Sequence, residues 1–296
     1  MSSSGKAALI LTALFLAVPV AYSSWRWVRR GTSEARPAAW DWRLTLKSTL
    51  AFALAFNVMF FIQELFLVLP KAFTPGLEPT LFHNNHHWRG HHPLEDLLQG
   101  TGALATVIAG AFFSVWLTRR TPEGDVTRLV LFWLALLGFL SALPQVVIGT
   151  VILQNDVGRA MTFLQFAPTA RLLASIAAFL AMVMAVWRLT PYLLSVTGEK
   201  DAPRAHDVAF RIGVLPCVLA LPLIVAFRIP NAAIEVLLPP CVAASIAAAW
   251  IQAVAWREGA VAAAAPQSQP LSWLLVALGA LLAFFQGILR RGVNFF

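Results

Sequence analysis

Long apolar runs separated by short polar stretches dominate the chain. The hydrocarbon core of a bilayer is about 30 Å thick and needs about 20 apolar residues per helix, so each run is long enough to cross it. We predict about eight such spans, between seven and nine, with no internal repeat and no soluble domain. The predicted spans are Ala7 to Trp25, Leu50 to Leu69, Leu97 to Leu117, Leu129 to Leu153, Leu172 to Trp187 with an extension to Leu194, Val208 to Phe227, Ala232 to Trp256 and Leu271 to Leu289.

The composition agrees with this pattern. Hydrophobic residues make up 59% of the 296 positions and charged residues only 12%, whereas a soluble domain is about 25% charged. We therefore predict an all-α, polytopic integral membrane helical bundle that forms a single transmembrane domain over residues 1–296. The first span is interpreted as a retained helix, because no convincing small-residue cleavage site follows it.

The net charge of +8 is distributed at the ends of the apolar runs and forms no separate basic domain. Nucleic acid is therefore not an expected partner, and the basic residues are interpreted as topology determinants and lipid-headgroup contacts. The positive-inside rule places the first loop in the cytoplasm and the connector of residues 70–96 on the periplasmic face of a bacterial-type inner membrane. The basic residues of that first loop are Arg26, Arg29, Arg30, Arg36, Arg43 and Lys47.

Five of the six histidines lie between His83 and His92, inside this connector. Neutral imidazole is the commonest metal ligand and also titrates nearest to neutral pH, so the cluster indicates a metal site first and a pH sensor second. In helical turns, His83 would lie one turn from His86 and His87, and pairs of imidazoles would converge on one ion. Nitrogen and oxygen ligands of this kind suit zinc or non-haem iron. The candidate ligands are His83, His86, His87, His91, His92, Glu95 and Asp96. An exposed interfacial loop without metal is the alternative.

Glu64 lies inside the second predicted span, seven residues after Asn57 and on the same helix face. This face is expected to look into the bundle, because a carboxyl group that faces lipid is energetically expensive. Eight spans bring Glu64, the histidine connector, the Asp156 end of the fourth span and the segment Arg228–Glu235 to one membrane face. Glu64 is the candidate general base towards a metal-activated water. A structural hydrogen bond to Gln145 or to another polar residue is the alternative role.

The segment His83-Asn84-Asn85-His86-His87 has an HxxHH pattern and resembles one histidine box of the membrane fatty-acid desaturases and hydroxylases. The resemblance implies boxes that bind a di-iron centre for oxygen chemistry on lipid chains. The chain has no second box, since His206 is alone and is predicted on the opposite membrane face. Counting therefore excludes a complete eight-histidine di-iron centre. A mononuclear site, or a dinuclear site completed by carboxylates, stays open.

Three functions are consistent with these patterns. A metal-dependent enzyme acting on a lipid or other hydrophobic substrate is favoured, because the polar groups converge at one face while the cytoplasmic halves of most spans are apolar. A transporter or metal-handling protein is the second, since prolines interrupt the sixth and seventh spans. A non-catalytic assembly or pH-sensing subunit is the third.

No Gly-rich phosphate loop, nucleophile elbow or HExxH motif is present, so no nucleotide or organic cofactor is indicated. Cys217 and Cys241 are interpreted as small buried hydrophobes.

Overall fold

The computed structural model describes residues 10–11, 13–29, 40–120, 122–197, 204–258 and 266–296. It is an all-α polytopic bundle, as predicted, and within the described residues seven helices are long and apolar enough to cross a membrane. The predicted first span begins in residues outside this described part. In chain order the helices are α1 (Val18–Val28, after a π-helical turn Ala13–Ala17), α2 (Trp42–Ala72), α3 (Glu95–Leu98), α4 (Thr101–Arg120), α5 (Asp125–Val151), α6 (Asp156–Phe163), α7 (Pro168–Leu194), α8 (Ala205–Ala209), α9 (Leu215–Leu219), α10 (Leu221–Arg228), α11 (Ala233–Glu258) and α12 (Ser272–Gly287).

Helix α2 is the longest element and carries Glu64. It begins at Asp41, whose carboxylate accepts hydrogen bonds from the backbone N–H groups of Arg43 at 2.8 Å and Leu44 at 3.3 Å, and such a cap satisfies donors that the helix itself leaves unpaired. The helix therefore starts two turns before the predicted apolar span. Hydropathy missed these turns because they contain polar residues, among them Lys47, that are buried in the bundle.

Helix α5 lies at the centre of the bundle, where Phe132 and Trp133 are fully buried. It packs closely on α4, because a Cβ added to Gly138 would lie 2.6 Å from the Cα atom of Gly110. Small residues at such a crossing let two backbones approach within van der Waals contact. The Trp133 indole N–H also donates to Ser48 Oγ at 2.9 Å, which links α5 to α2 inside the bundle.

A buried ion pair joins the beginnings of α2 and α5. Lys47 Nζ contacts the carboxylate of Asp125, and both side chains are 8% exposed. Lys47 also donates to Ser268 Oγ at 3.0 Å, while Asp125 accepts from the backbone N–H of Gln269 at 2.9 Å. These additional hydrogen bonds offset part of the cost of removing two charges from water. The pair fixes the end of the bundle that lies away from the histidine connector.

The connector between α2 and α4 contains a β-hairpin, so the prediction of helical turns through the histidines is wrong. Strand β1 (Leu77–Leu81) pairs antiparallel with β2 (His86–Gly90), with Leu81 opposite His86. Strand β3 (Val293–Asn294) pairs with the other edge of β1. The C-terminal segment thus satisfies backbone groups of a strand more than 200 residues earlier in the chain. Local sequence pattern carries no information about such a partner.

Two further elements complete the face that bears the hairpin. Helix α6 begins at Asn155, whose side-chain oxygen accepts from the Gly158 N–H at 2.6 Å. Helices α8, α9 and α10 form one interrupted span, with a π-helical segment Phe210–Val214 between the first two. The predicted irregularity of the proline-containing sixth span is confirmed, and its end at Arg228 lies beside the hairpin. For the seventh span the prediction is wrong, because α11 continues as one helix through Pro239 and Pro240.

Candidate functional site

The hairpin directs His86 onto Glu64. Side chains of a strand alternate between its two faces, and in β2 His86 and Trp88 are half-buried while His87 and Arg89 are exposed. His86 Nδ1 lies 2.7 Å from Glu64 Oε2, with side chains 11% and 8% exposed. With Glu64 as a carboxylate, which can only accept, this bond selects the His86 tautomer that carries its hydrogen on Nδ1. His86 Nε2 is buried and has no hydrogen-bond partner among the described residues.

Trp88 holds the His86 ring in place. The two rings stack with centroids 5.7 Å apart and an interplanar angle of 12°. Lys71 Nζ lies 4.7 Å from the centroid of the Trp88 ring, and Arg159 Cζ lies 5.5 Å from it. Lys71 is fully buried and donates to the Leu67 carbonyl at 2.7 Å. The indole thus carries two cations beside the imidazole, each favoured by the negative face of the ring.

Asp156, at the start of α6, is the second carboxylate of this site. Burial raises its pKa above the ordinary value of 3.8, and the neighbouring charge of Glu64 raises the pKa further. His86, Lys71 and Arg159 act in the opposite direction with smaller effects. Asp156 therefore holds its proton at a higher pH than a carboxyl group in water. Arg159, in the same helix α6, lies over Trp88 of the hairpin, so the Asp156 end of the fourth span lies on the membrane face of the hairpin, as predicted.

His83 binds the end of the interrupted span. Its Nε2 lies 3.3 Å from the carbonyl oxygen of Arg228, and the Asn84 side chain donates to the same oxygen at 3.2 Å. Because a carbonyl accepts, Nε2 carries the hydrogen and Nδ1 keeps a lone pair. Burial lowers the pKa of His83 below 6.5; the hydrogen bond to the Arg228 carbonyl opposes this, and the charge of Arg228 lowers the pKa further. His83 Nδ1 is also buried without a hydrogen-bond partner in the described chain.

Asn231 extends these contacts to α11. Its side-chain N–H donates to Asn84 Oδ1 at 2.7 Å and to Glu235 Oε2 at 3.2 Å. Arg228 Nη2 donates to the Glu235 backbone carbonyl at 2.7 Å. The segment Arg228–Glu235 thus meets the hairpin as predicted.

The remaining predicted ligands are further out. His91 is 83% exposed and its Nδ1 lies 3.1 Å from Glu95 Oε2. His92 Nδ1 accepts a hydrogen bond from the backbone N–H of Leu94 at 3.2 Å. The lone pair of this nitrogen is therefore already used. His87 is exposed on the outer face of β2. These histidines stabilise the turn between β2 and α3 or face solvent.

Asp96 is connected to the site by its ion pair with Arg159 of α6. It accepts from Arg159 Nε at 2.7 Å, and Arg159 in turn lies over Trp88. Within the described part of the chain, no group of three or more His, Cys, Asp or Glu side chains is placed to hold a metal ion. The zinc or iron site assigned to the seven candidate ligands stays a prediction.

Lys71, Trp88 and Arg159 are site residues that the sequence did not single out. Lys71 and Arg159 lie near apolar runs, where basic residues normally mark a membrane interface. Gln145 is not the polar partner of Glu64, since Gln145 donates to the side chain of Gln63 at 3.1 Å. The polar partner of Glu64 is His86.

His206 lies at the opposite end of the bundle from the hairpin, as predicted. Its ring stacks on Trp256 with centroids 3.8 Å apart, and both residues line a cavity that Trp40 also lines, just before α2 begins. The histidine cluster therefore receives no sixth imidazole.

Comparison of the chain with protein-family models, curated proteins and solved structures gives no match.

Proposed function

We propose that this protein is a membrane enzyme that acts on a lipid or other amphipathic substrate at one bilayer face, with His86 as the general base and Glu64 as the residue that positions it. One observation carries the proposal: Nδ1 of His86 is held by Glu64, while Nε2 is buried with no hydrogen-bond partner in the described residues. A general base needs an oriented ring with one nitrogen left for the substrate proton. A buried nitrogen without a partner costs free energy, which favours a functional role for it.

Asp156 supports this proposal as the corresponding acid. A protonated carboxyl group beside an oriented base can return to the substrate the proton that the base takes up. Asp156, whose pKa is raised by burial and by Glu64, suits the donor role. The oriented imidazole of His86 suits the acceptor role. Hydrolysis or group transfer on a substrate headgroup is the chemistry that such a pair would serve.

A second candidate uses the same nitrogen as a metal ligand. Histidines that bind metals also donate their other ring N–H to a carboxylate or a carbonyl. His86 does so to Glu64, and His83 does so to the Arg228 carbonyl, which leaves two buried ring nitrogens without partners in the described chain. Zinc or iron bound there would activate water for the same class of substrate.

The proposed location is a bacterial-type inner membrane with the hairpin on the periplasmic face. The basic first loop supports this orientation through the positive-inside rule. A single cysteine at the exposed position 87, in a background without Cys217 and Cys241, is expected to react with a membrane-impermeant maleimide added outside spheroplasts. Labelling only after the membrane is opened would reverse the orientation.

The catalytic proposal is tested with purified protein in nanodiscs that contain a total bacterial lipid extract. Mass spectrometry follows lipids that are consumed or formed by the wild type, by His86→Gln and by His87→Gln, the matched control on the outer face of the same strand. Removal of an acid–base group costs about 10²- to 10⁴-fold in rate. We expect a loss of this size for His86→Gln and wild-type turnover for His87→Gln.

The same three proteins distinguish the two versions of the site by elemental analysis. Zinc or iron that is lost only in His86→Gln supports the metal version, and the absence of bound metal from all three proteins supports the metal-free acid–base version. Turnover by folded His86→Gln at the wild-type rate would refute both, as would a lipid extract that the wild type leaves unchanged.

A further inference from the structure

A large apolar crevice opens at the opposite end of the bundle from the histidine hairpin. It lies between α1, α7 and α11 and has a volume of about 740 Å³. Sites for small molecules commonly enclose about 300–1,000 Å³. Its walls are mostly aliphatic and aromatic, and they include Val18, Tyr22, Met184, Trp187 and Trp250. An apolar slot of this size between membrane helices is suited to an acyl chain.

The mouth of the crevice is basic. Arg257, in the last turn of α11, lines it directly. Arg26 lies one turn after Tyr22 and donates Nη2 to the Trp256 carbonyl at 3.0 Å, which places its guanidinium beside the same turn of α11. Arg188 follows Trp187, with its Cζ atom 5.7 Å from that ring. Two arginines, Arg257 of α11 and Arg26 of α1, therefore lie at one end of the slot, whereas Arg188 of α7 lines two neighbouring cavities. Glu258 follows Arg257 in the chain.

The position of this mouth along the bundle is set by α11. Near its first turn, Glu235 contacts Asn231 at the hairpin face, and α11 ends at Glu258 after 26 residues. A helix rises about 1.5 Å per residue, so these ends are about 39 Å apart, which is enough to cross a bilayer. The crevice mouth therefore lies at the other membrane face. Tryptophan and tyrosine at its edge are typical of the headgroup level.

We propose that this crevice is a binding site for an anionic glycerophospholipid. One acyl chain lies between α1, α7 and α11, and the phosphate is bound by Arg257 with Arg26 nearby. Charge complementarity selects an anionic headgroup over a zwitterionic one, because Arg257 lines the mouth and the Arg26 guanidinium lies beside the same turn of α11. Basic pockets between membrane helices recognise such headgroups at the cytoplasmic face. The bound lipid would fasten α1 to the rest of the bundle. This proposal does not depend on the chemistry of His86.

Native mass spectrometry of delipidated protein, titrated with dioleoylphosphatidylglycerol or dioleoylphosphatidylcholine, tests the site. The variants are Arg257→Gln, which removes the headgroup contact, and Met184→Trp, which fills the slot. The control is Arg43→Gln, an exposed arginine at the same membrane face that does not line the crevice. One arginine near an anionic lipid surface is worth about 1 kcal/mol, so Arg257→Gln should weaken phosphatidylglycerol binding about fivefold.

The two lipids and the three variants give separable outcomes. The wild type is expected to bind phosphatidylglycerol more tightly than phosphatidylcholine, and Arg257→Gln is expected to lose that preference. Met184→Trp is expected to weaken binding of both lipids, since the slot accepts the chain of either. Equal affinity of the wild type for the two lipids would overturn the proposal. A loss in Arg257→Gln that is no larger than the loss in Arg43→Gln would overturn it as well.

Discussion

Gly90 ends the strand that carries His86 and Trp88, and its replacement by alanine tests whether the hairpin holds the site together. Gly90 has φ +84°, a conformation that residues with a Cβ rarely adopt. A Cβ at this position would also overlap the carbonyl oxygen of Gly76, which belongs to the opposite arm of the hairpin. Gly90→Ala therefore introduces backbone strain and a steric clash at once.

Gly76 offers a control that separates these two costs. It has φ +81°, but a Cβ added to it would meet only the His91 carbonyl at an ordinary 3.5 Å. Gly76→Ala should therefore cost only the left-handed backbone, about 1–2 kcal/mol. Gly90→Ala adds the displacement of a packed backbone, about 1–3 kcal/mol. The total for Gly90→Ala is then about 2–5 kcal/mol of local stability.

Hydrogen exchange of the hairpin amides measures this local stability directly, because the strand N–H groups exchange when the hairpin opens. Gly76→Ala is expected to reduce protection of the β2 amides about 5- to 30-fold. Gly90→Ala is expected to reduce it by a further 5- to 150-fold, the equivalent of the additional 1–3 kcal/mol. Amides in the centre of α5 serve as the internal reference and should keep their protection in both variants.

Two results would refute this reasoning. Equal protection in Gly90→Ala and Gly76→Ala would mean that the two arms of the hairpin do not approach as closely as the structure places them. Wild-type protection in Gly90→Ala would mean that the connector does not form this hairpin, and the contact between His86 and Glu64 would lose its support.

Three further predictions concern the bundle. The raised pKa of Asp156 means that the folded protein binds the Asp156 proton more tightly than the unfolded chain does. Ionised Asp156 therefore destabilises the fold. This loss of stability disappears as the pH falls from the raised pKa towards 3.8, where the unfolded chain is protonated as well. Asp156→Asn should therefore be more stable than the wild type at neutral pH. Thermal unfolding should show that the difference in stability between the two proteins shrinks as the pH falls towards 3.8. Lys47→Met leaves the Asp125 carboxylate buried without its cation and should cost about 3–5 kcal/mol of unfolding free energy in a denaturant titration; a loss below about 1 kcal/mol would contradict a buried pair. Gly138→Ala places a Cβ 2.6 Å from the Cα atom of Gly110 and should cost about 1–3 kcal/mol in the same assay, whereas unchanged stability would contradict the close crossing of α4 and α5.

The membrane architecture follows from the sequence alone, because an apolar run of the required length has few alternatives to a helix across the bilayer. The burial of Glu64 follows in the same way. An ionisable residue inside a span must face protein, and Glu64 is 6% exposed. Counting spans then brought Glu64, Asp156 and Arg228 to one end of the bundle, since each crossing reverses the direction of the chain.

The partners of these groups were decided only by the tertiary structure. The histidine connector pairs with itself and with Val293–Asn294, and strand pairing over such a distance depends on backbone hydrogen bonds that any sequence can form. The alternation of β2, rather than helical spacing, then separates His86 from His87 and turns only His86 towards Glu64. Lys71 and Arg159 resemble ordinary interface residues in the sequence. They become part of the site because α2, α6 and the hairpin pack there on one indole ring.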